Sequence, residues 1–153
     1  MKVNPFVAMA ATGLLLAGTA SAQEKKIKRS DLPPAVEKTV AAQSAGATIK
    51  GFSTEKENGQ TLYEAEMTVN GHSKDISMTA GSIVEIEEQV AMDSLSADVK
   101  AGLQSKAGKG KILKVESLTK KGKLVAYEAK VDTDGKKSEV QVGPDGKPLD
   151  HEE

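Results

Sequence analysis

Thr61-Leu62-Tyr63-Glu64-Ala65-Glu66-Met67-Thr68-Val69-Asn70-Gly71 is the stretch on which the fold turns. Apolar and polar residues alternate along it. Tyr63, Ala65, Met67 and Val69 share one face of an extended strand, and Glu64, Glu66 and Thr68 share the other. Asn70-Gly71 then supplies the positive backbone angles of a two-residue hairpin. A third strand from about Ser73 to Met78 follows, with Ile76 and Met78 inward, and Ala80-Gly81 turns the chain again. A short extension, Ile83 to Glu88, brings Ile83 or Val84 and Ile86 back toward the core. Upstream, a first strand covers Thr48 to Glu55 and ends at the Asn58-Gly59 turn. Asp31-Leu32-Pro33-Pro34 opens a helix, with prolines in the first turn and Asp31 as cap. Val36 and Val40 form its apolar side, and Gly46 ends it.

The same order recurs about 64 residues later. Ala126-Tyr127-Glu128-Ala129-Lys130 answers Leu62 to Glu66, Val99 answers Val36, and Ile112 answers Ile49. Lys121-Gly122, Asp134-Gly135 and Asp145-Gly146 answer the three earlier turns. A second helix opens near Leu95 with Ser96 as cap, and Leu95, Val99 and Leu103 recur every four residues. Ile112 to Leu118, Leu124 to Val131 and Ser138 to Val142 are the strands of this copy. The expected fold is α+β: two tandem αβββ units, each an antiparallel three-stranded sheet with one helix packed on one face. The first unit is expected over 31–90 and the second over 91–153.

Ahead of both lies an address. Lys2, the apolar run Phe6 to Ala17 and the small-residue site Ala20-Ser21-Ala22 read as a signal peptide over 1–22, cleaved after Ala22. Residues 23–30 read as a flexible lead-in. The apolar run is shorter than the ~20 residues of a spanning helix. The expected location is therefore periplasmic or secreted. Removing 22 of 153 residues takes away Lys2 and no acid, so the net charge moves from −1 to −2. With no cysteine, disulfides, thiolate metal sites and thiol nucleophiles are excluded.

The ordered motifs in both halves resemble a PepSY-like protein, of the group likened to the beta-lactamase inhibitor protein. They are Leu32-Pro33-Pro34-Ala35-Val36 and Leu95-Ser96-Ala97-Asp98-Val99, Ala47-Thr48-Ile49 and Gly110-Lys111-Ile112, the two Tyr-Glu-Ala strands, and the glycine turn before each last strand. The link Ile83 to Glu88 adds to the likeness. The second helix lacks the double proline, and the C-terminal strand is cut short. The resemblance implies an exported, non-enzymatic module that binds or restrains peptidases and other hydrolases.

His72 and His151 are the two histidines, one beside a turn and one in an acidic end. Asp132-Thr133-Asp134-Gly135 resembles the opening of a calcium loop, but it joins two alternating strands and reads as a hairpin. Gly108-Lys109-Gly110 precedes a strand, not the helix of a phosphate cradle. Glu85 and Glu87 share one face, with Glu88 on the other, and read as a solvated edge. From Lys100 to Lys123 there are eight lysines against Glu116 alone, a pattern that steers charged partners. A single arginine, Arg29, and the lack of an exposed aromatic platform argue against nucleic acid. Tyr63 and Tyr127 fall on the apolar face and read as core.

The expected function is non-catalytic protein binding through the polar sheet face, at Glu64, Glu66, Glu128 and Lys130. The expected partner is a peptidase or other envelope hydrolase, inhibited by occlusion. No cofactor, no catalytic residue and no metal ligand is expected on this reading. The alternative is an envelope stress protein that binds a small ligand or a divalent ion.

Overall fold

A computed structural model describes residues 24–57, 59–151 and 153. The expected signal peptide and its cleavage site lie outside the described residues, as does Asn58 of the first expected turn. Among the described residues eight strands form one antiparallel sheet in sequence order: β1 (Lys25–Ile27), β2 (Thr48–Glu57), β3 (Gln60–Val69), β4 (His72–Thr79), β5 (Ser82–Val90), β6 (Lys111–Lys120), β7 (Lys123–Thr133) and β8 (Lys136–Val142). Two helices, α1 (Pro34–Gln43) and α2 (Ala97–Ala107), interrupt the strand sequence after β1 and after β5. Among the described residues no helix is long and apolar enough to cross a membrane.

The expectation of two tandem αβββ units, each a three-stranded sheet, is overturned. The segment read as a short extension is a full strand, β5, and it pairs on both sides. Its ladder with β6 runs from Glu85 opposite Lys120 to Val90 opposite Val115, which fuses everything into one sheet. The lead-in is also structured. Lys25 to Ile27 pair with Thr54 to Phe52, and Ile27 packs on the apolar core.

Glycine turns set the registers. Asn70 and Gly71 have φ of 50° and 85°, Lys121 and Gly122 50° and 78°, and Asp134 and Gly135 53° and 83°. Two successive positive angles match the twist of a two-residue hairpin. Ala80-Gly81 makes the same turn at 49° and 86°. Here alanine accepts a conformation that disfavours it.

A bulge in β5 then decides which residues face which way. Ser77 opposes Glu85, but Met78 opposes Ile83, so Val84 is the extra residue. Its carbonyl is not idle: it accepts a hydrogen bond from the Lys121 backbone N–H at 3.1 Å. Ile83 and Ile86 are three residues apart and cannot both face one way in a regular strand. The bulge lets both pack on the core and turns Glu85 and Glu87 to the opposite face.

The helices cover one side of the sheet. Val36 and Val40 of α1 are fully buried against Ala65, Met67, Ile76 and Met78. Val99 and Leu103 of α2 are buried against Val115, Ala129, Val131 and Val142. Tyr63 and Tyr127 pack at the margins of these clusters, as alternation predicts. Ser96 caps α2, accepting from the Val99 N–H at 3.3 Å. Asp31 does not cap α1. Pro33 holds that position, and the Asp31 carboxylate accepts from the Lys28 N–H at 3.0 Å.

After β8 the chain returns over α2. Gly146 sits against the backbone of Asp98, and Gly102 of the helix sits against the Gly146 carbonyl, so close that neither has room for a Cβ.

Candidate functional site: the carboxylate face

The face away from the helices gathers charge because alternation puts every second residue there. Across neighbouring strands the pairing sets them in rows. Glu66, Asp75 and Glu87 lie side by side on β3, β4 and β5. Glu64, Ser77, Glu85 and Lys120 form a parallel row. Glu116, Glu128 and Gln141 form a third on β6, β7 and β8, and Lys114, Lys130 and Glu139 a fourth. The four residues expected to bind a partner, Glu64, Glu66, Glu128 and Lys130, therefore share this face. The structure adds Asp75, Glu85, Glu87 and Glu116 to them.

Like charges opposite each other in a sheet repel, and crowding on one face strips water from each. Burial pushes Glu64 up from its ordinary 4.5 to about 7, assisted by Asp75, while a hydrogen bond from the Ser53 hydroxyl at 3.2 Å pulls the other way. Asp75 rises to about 6, through burial and then Glu116 and Glu66. Glu87 rises to about 8, through burial and then Glu128, Glu85, Glu116 and Asp75. Burial also raises Glu85 and Glu128, against the opposing pull of Lys120 on the former and of the Gln141 amide on the latter. Glu85 and Glu87 thus lie half-buried in the middle of the sheet, not on the solvated edge expected for them.

Glu116 is the most enclosed of the set, with 1% of its surface exposed. Its Oε1 accepts from the Ser73 hydroxyl at 3.1 Å and faces Lys114 Nζ at 2.6 Å. Its Oε2 has no hydrogen-bond partner, and Lys130 Nζ stands 3.4 Å away as a loose ion pair. Lys130 also faces Glu139 at 3.7 Å. Burial works against the Lys130 charge, but Glu116 and Glu139 hold its pKa above the ordinary value. One carboxylate oxygen from each of Asp75, Glu87 and Glu116 lies within 4.8 Å of the other two.

The last residue reaches this face too. The Glu153 N–H donates to Gln141 Oε1 at 2.8 Å, and its carboxylate lies 3.7 Å from Lys120 Nζ. Gln141 in turn donates to Glu128 Oε2 at 2.9 Å.

The remaining sequence candidates lie elsewhere. His72 and His151 are exposed. Asp132 to Gly135 is a hairpin, with Asp132 Oδ1 accepting from the Gly135 N–H at 2.8 Å and Asp132 paired with Lys137. Sequence reasoning reaches Glu116 only as the one acid among eight lysines, and does not reach Asp75. Their signal was present: each occupies the polar phase of an alternating strand, beside Ile76 and Val115.

No family model matches the sequence, and no curated protein matches it either. Solved structures do. The chain is similar to a DUF2874 family protein from Bacteroides ovatus, with 22% identity, a TM-score of 0.58, and 78% of this chain and 86% of that chain covered. It also matches a Bacteroides thetaiotaomicron protein proposed to be periplasmic and calcium-regulated, at 16% identity, TM-score 0.38, and 83% and 94% coverage. A DUF2874 protein from Bacteroides vulgatus, proposed to be periplasmic, matches at 17% identity, TM-score 0.38, and 81% and 92% coverage. The likeness to the B. ovatus protein is one of fold.

Proposed function

We propose that the chain is an exported, non-catalytic binding module whose carboxylate face docks a cationic segment of a partner protein and occludes it. The observation that carries this reading is the packing of Glu64, Glu66, Asp75, Glu85 and Glu87 in adjoining rows on β3 to β5. Glu64, Asp75 and Glu87 are pushed up to about 7, 6 and 8 by burial and mutual repulsion on a face that α1 and α2 leave bare. A lysine or arginine brought to that face relieves the repulsion and returns the carboxyls toward their ordinary range. Docking is therefore coupled to proton release near neutral pH. The apolar run Phe6 to Ala17 with Ala20-Ser21-Ala22 supports export. The PepSY-like motifs support a hydrolase as partner.

The test uses the immobilised mature chain and a triple variant, E64Q/E66Q/E85Q, to capture proteins from an envelope extract. Support is a hydrolase retained by the wild type, lost by the variant, and inhibited by stoichiometric addition of the free protein. Equal retention by both baits overturns the reading.

A further inference from the structure

We propose that the outer edge of β8 pairs with the same edge of a second copy, about a two-fold axis at Ser138, so that two chains share one continuous sheet. The inference goes beyond partner docking and does not depend on it, since β6 and β7 separate this edge from the carboxylates on β3 to β5.

The repeat shows what this edge lacks. In the first half, β4 is covered on its outer side by β5, which follows directly on the Ala80-Gly81 turn. Strand β8 answers β4, because Tyr127 opposes Val142 as Tyr63 opposes Met78. The matching turn, Asp145-Gly146, is followed by Lys147-Pro148, and the chain returns over α2 instead of forming a strand. Among the described residues nothing pairs with the outer side of β8. Its far end is occupied in another way. The Gly143 N–H donates to the Lys147 carbonyl at 2.8 Å, and the Gln141 side chain accepts from the Glu153 N–H. The open stretch is therefore 136–140, centred on Ser138.

The hairpin fixes which backbone groups point outward. Thr133 and Lys136 close the two-residue turn Asp134-Gly135 and exchange both hydrogen bonds, and bonded pairs alternate from there. Lys136, Ser138 and Val140 thus bond inward to β7. Lys137 and Glu139 present their N–H and C=O groups to the open side. A two-fold axis at Ser138 sets Lys137 of each copy opposite Glu139 of the other. Each such pair exchanges both backbone hydrogen bonds, with opposite charges directly across. On the polar face a row of alternating sign results: Asp132 and Lys137 of one copy, then Glu139 and Lys130 of the other. On the helix face the Lys136 stem lies over the half-buried Val140 of the second copy. An axis at Lys137 or at Glu139 would instead oppose two lysines or two glutamates. A ladder this short buries less than the roughly 1,200 Å² of a standard interface, so the dimer is weak, with a dissociation constant of about 0.01–1 mM. The axis runs through the sheet from face to face, so both carboxylate faces look the same way and one dimer offers two of them together.

The experiment is analytical ultracentrifugation of the mature protein from about 0.01 to 2 mM, a span that brackets the expected constant, with circular dichroism on every variant. Wild type is expected to pass from monomer to dimer and no further. K137E and E139K each put like charges across the axis and stay monomeric. Mixed in equal amounts, the two variants dimerise with each other, because every cross-axis pair is again of opposite sign. The double variant K137E/E139K regains the dimer for the same reason. Amide exchange followed by NMR slows at Lys137 and Glu139 as wild-type concentration rises, while at Ser138, already bonded to β7, it does not change. A monomer throughout, which leaves the edge to a foreign strand, overturns the proposal. So does association that both single variants retain, or a mixture of the two that stays monomeric. Growth past the dimer also overturns it, since that marks head-to-tail pairing of β8 with the opposite edge of the sheet.

Discussion

Replacing Gly102 by alanine should destabilise the protein, against the rule for helices. Gly102 lies inside α2, where alanine is better than glycine by about 1 kcal/mol. A Cβ at this position, however, would fall 2.1 Å from the Gly146 carbonyl oxygen, 3.0 Å from its carbon and 3.2 Å from Val142 Cγ1. Backbone stands on both sides of the contact. Gly146 has no slack either, since its own Cα lies close enough to Asp98 that an added Cβ would sit 2.3 Å from the Asp98 oxygen. Overpacking of this kind costs about 1–3 kcal/mol, and set against the propensity gain of about 1 kcal/mol the net loss reaches about 2 kcal/mol. Urea unfolding followed by circular dichroism reads it as a lower midpoint at unchanged slope. The decisive comparison is the same substitution in a chain ended after Gly143. There the clash with the Gly146 backbone is gone and G102A should stabilise by about 1 kcal/mol, which gives a coupling of about 1–3 kcal/mol between residue 102 and the returning segment. Stabilisation by G102A in the full chain, or equal effects in both backgrounds, would refute the packing argument.

Three further outcomes follow from the same geometry. Glu64 has a folded pKa of about 7 against an ordinary 4.5, so the folded state binds more protons between those values and stability falls as pH rises through that window; thermal melts from pH 4 to 9 should show E64Q with a shallower decline than wild type, and an unchanged slope would contradict it. Met78 is fully buried beneath α1, so M78A should cost about 2–5 kcal/mol in urea unfolding, while L113A, at a position 48% exposed, should cost almost nothing. Gly135→Ala forces a φ of 83° on a residue with a Cβ, with open space around it, and should cost about 1–2 kcal/mol from backbone strain alone; a neutral result would mean the hairpin relaxes into another turn.

Much of the sheet was legible because alternation and glycine turns are local. Tyr63 and Tyr127 were placed on the core side, and Glu64, Glu66, Glu128 and Lys130 on the other, from phase alone. The continuity of the sheet was not legible. It depends on β5 pairing with β6 across α2, and no short-range pattern specifies that ladder. The sequence of β5 signals only a short extension because its inward residues, Ile83 and Ile86, break the period of two. The bulge at Val84 restores it, and an unbroken register from Ala80-Gly81 would have set Lys74, not Asp75, opposite Glu87. The gathering of Asp75, Glu87 and Glu116 rests on that single inserted residue and on the β5–β6 ladder, so it could not be read from spacing. Strand β1 was missed because Lys25 and Lys26 carry no apolar phase and only Ile27 reaches the core.

The strictly sequential order of the strands has a consequence for how the chain assembles. Adjacent ribbons joined by two-residue turns close loops of minimal entropy, so most pairings form between near neighbours. Only two ladders, β1 with β2 and β5 with β6, must wait for a helix to bring their ends together. Hairpins can form from any turn, and the longest loops to close are the two that contain the helices.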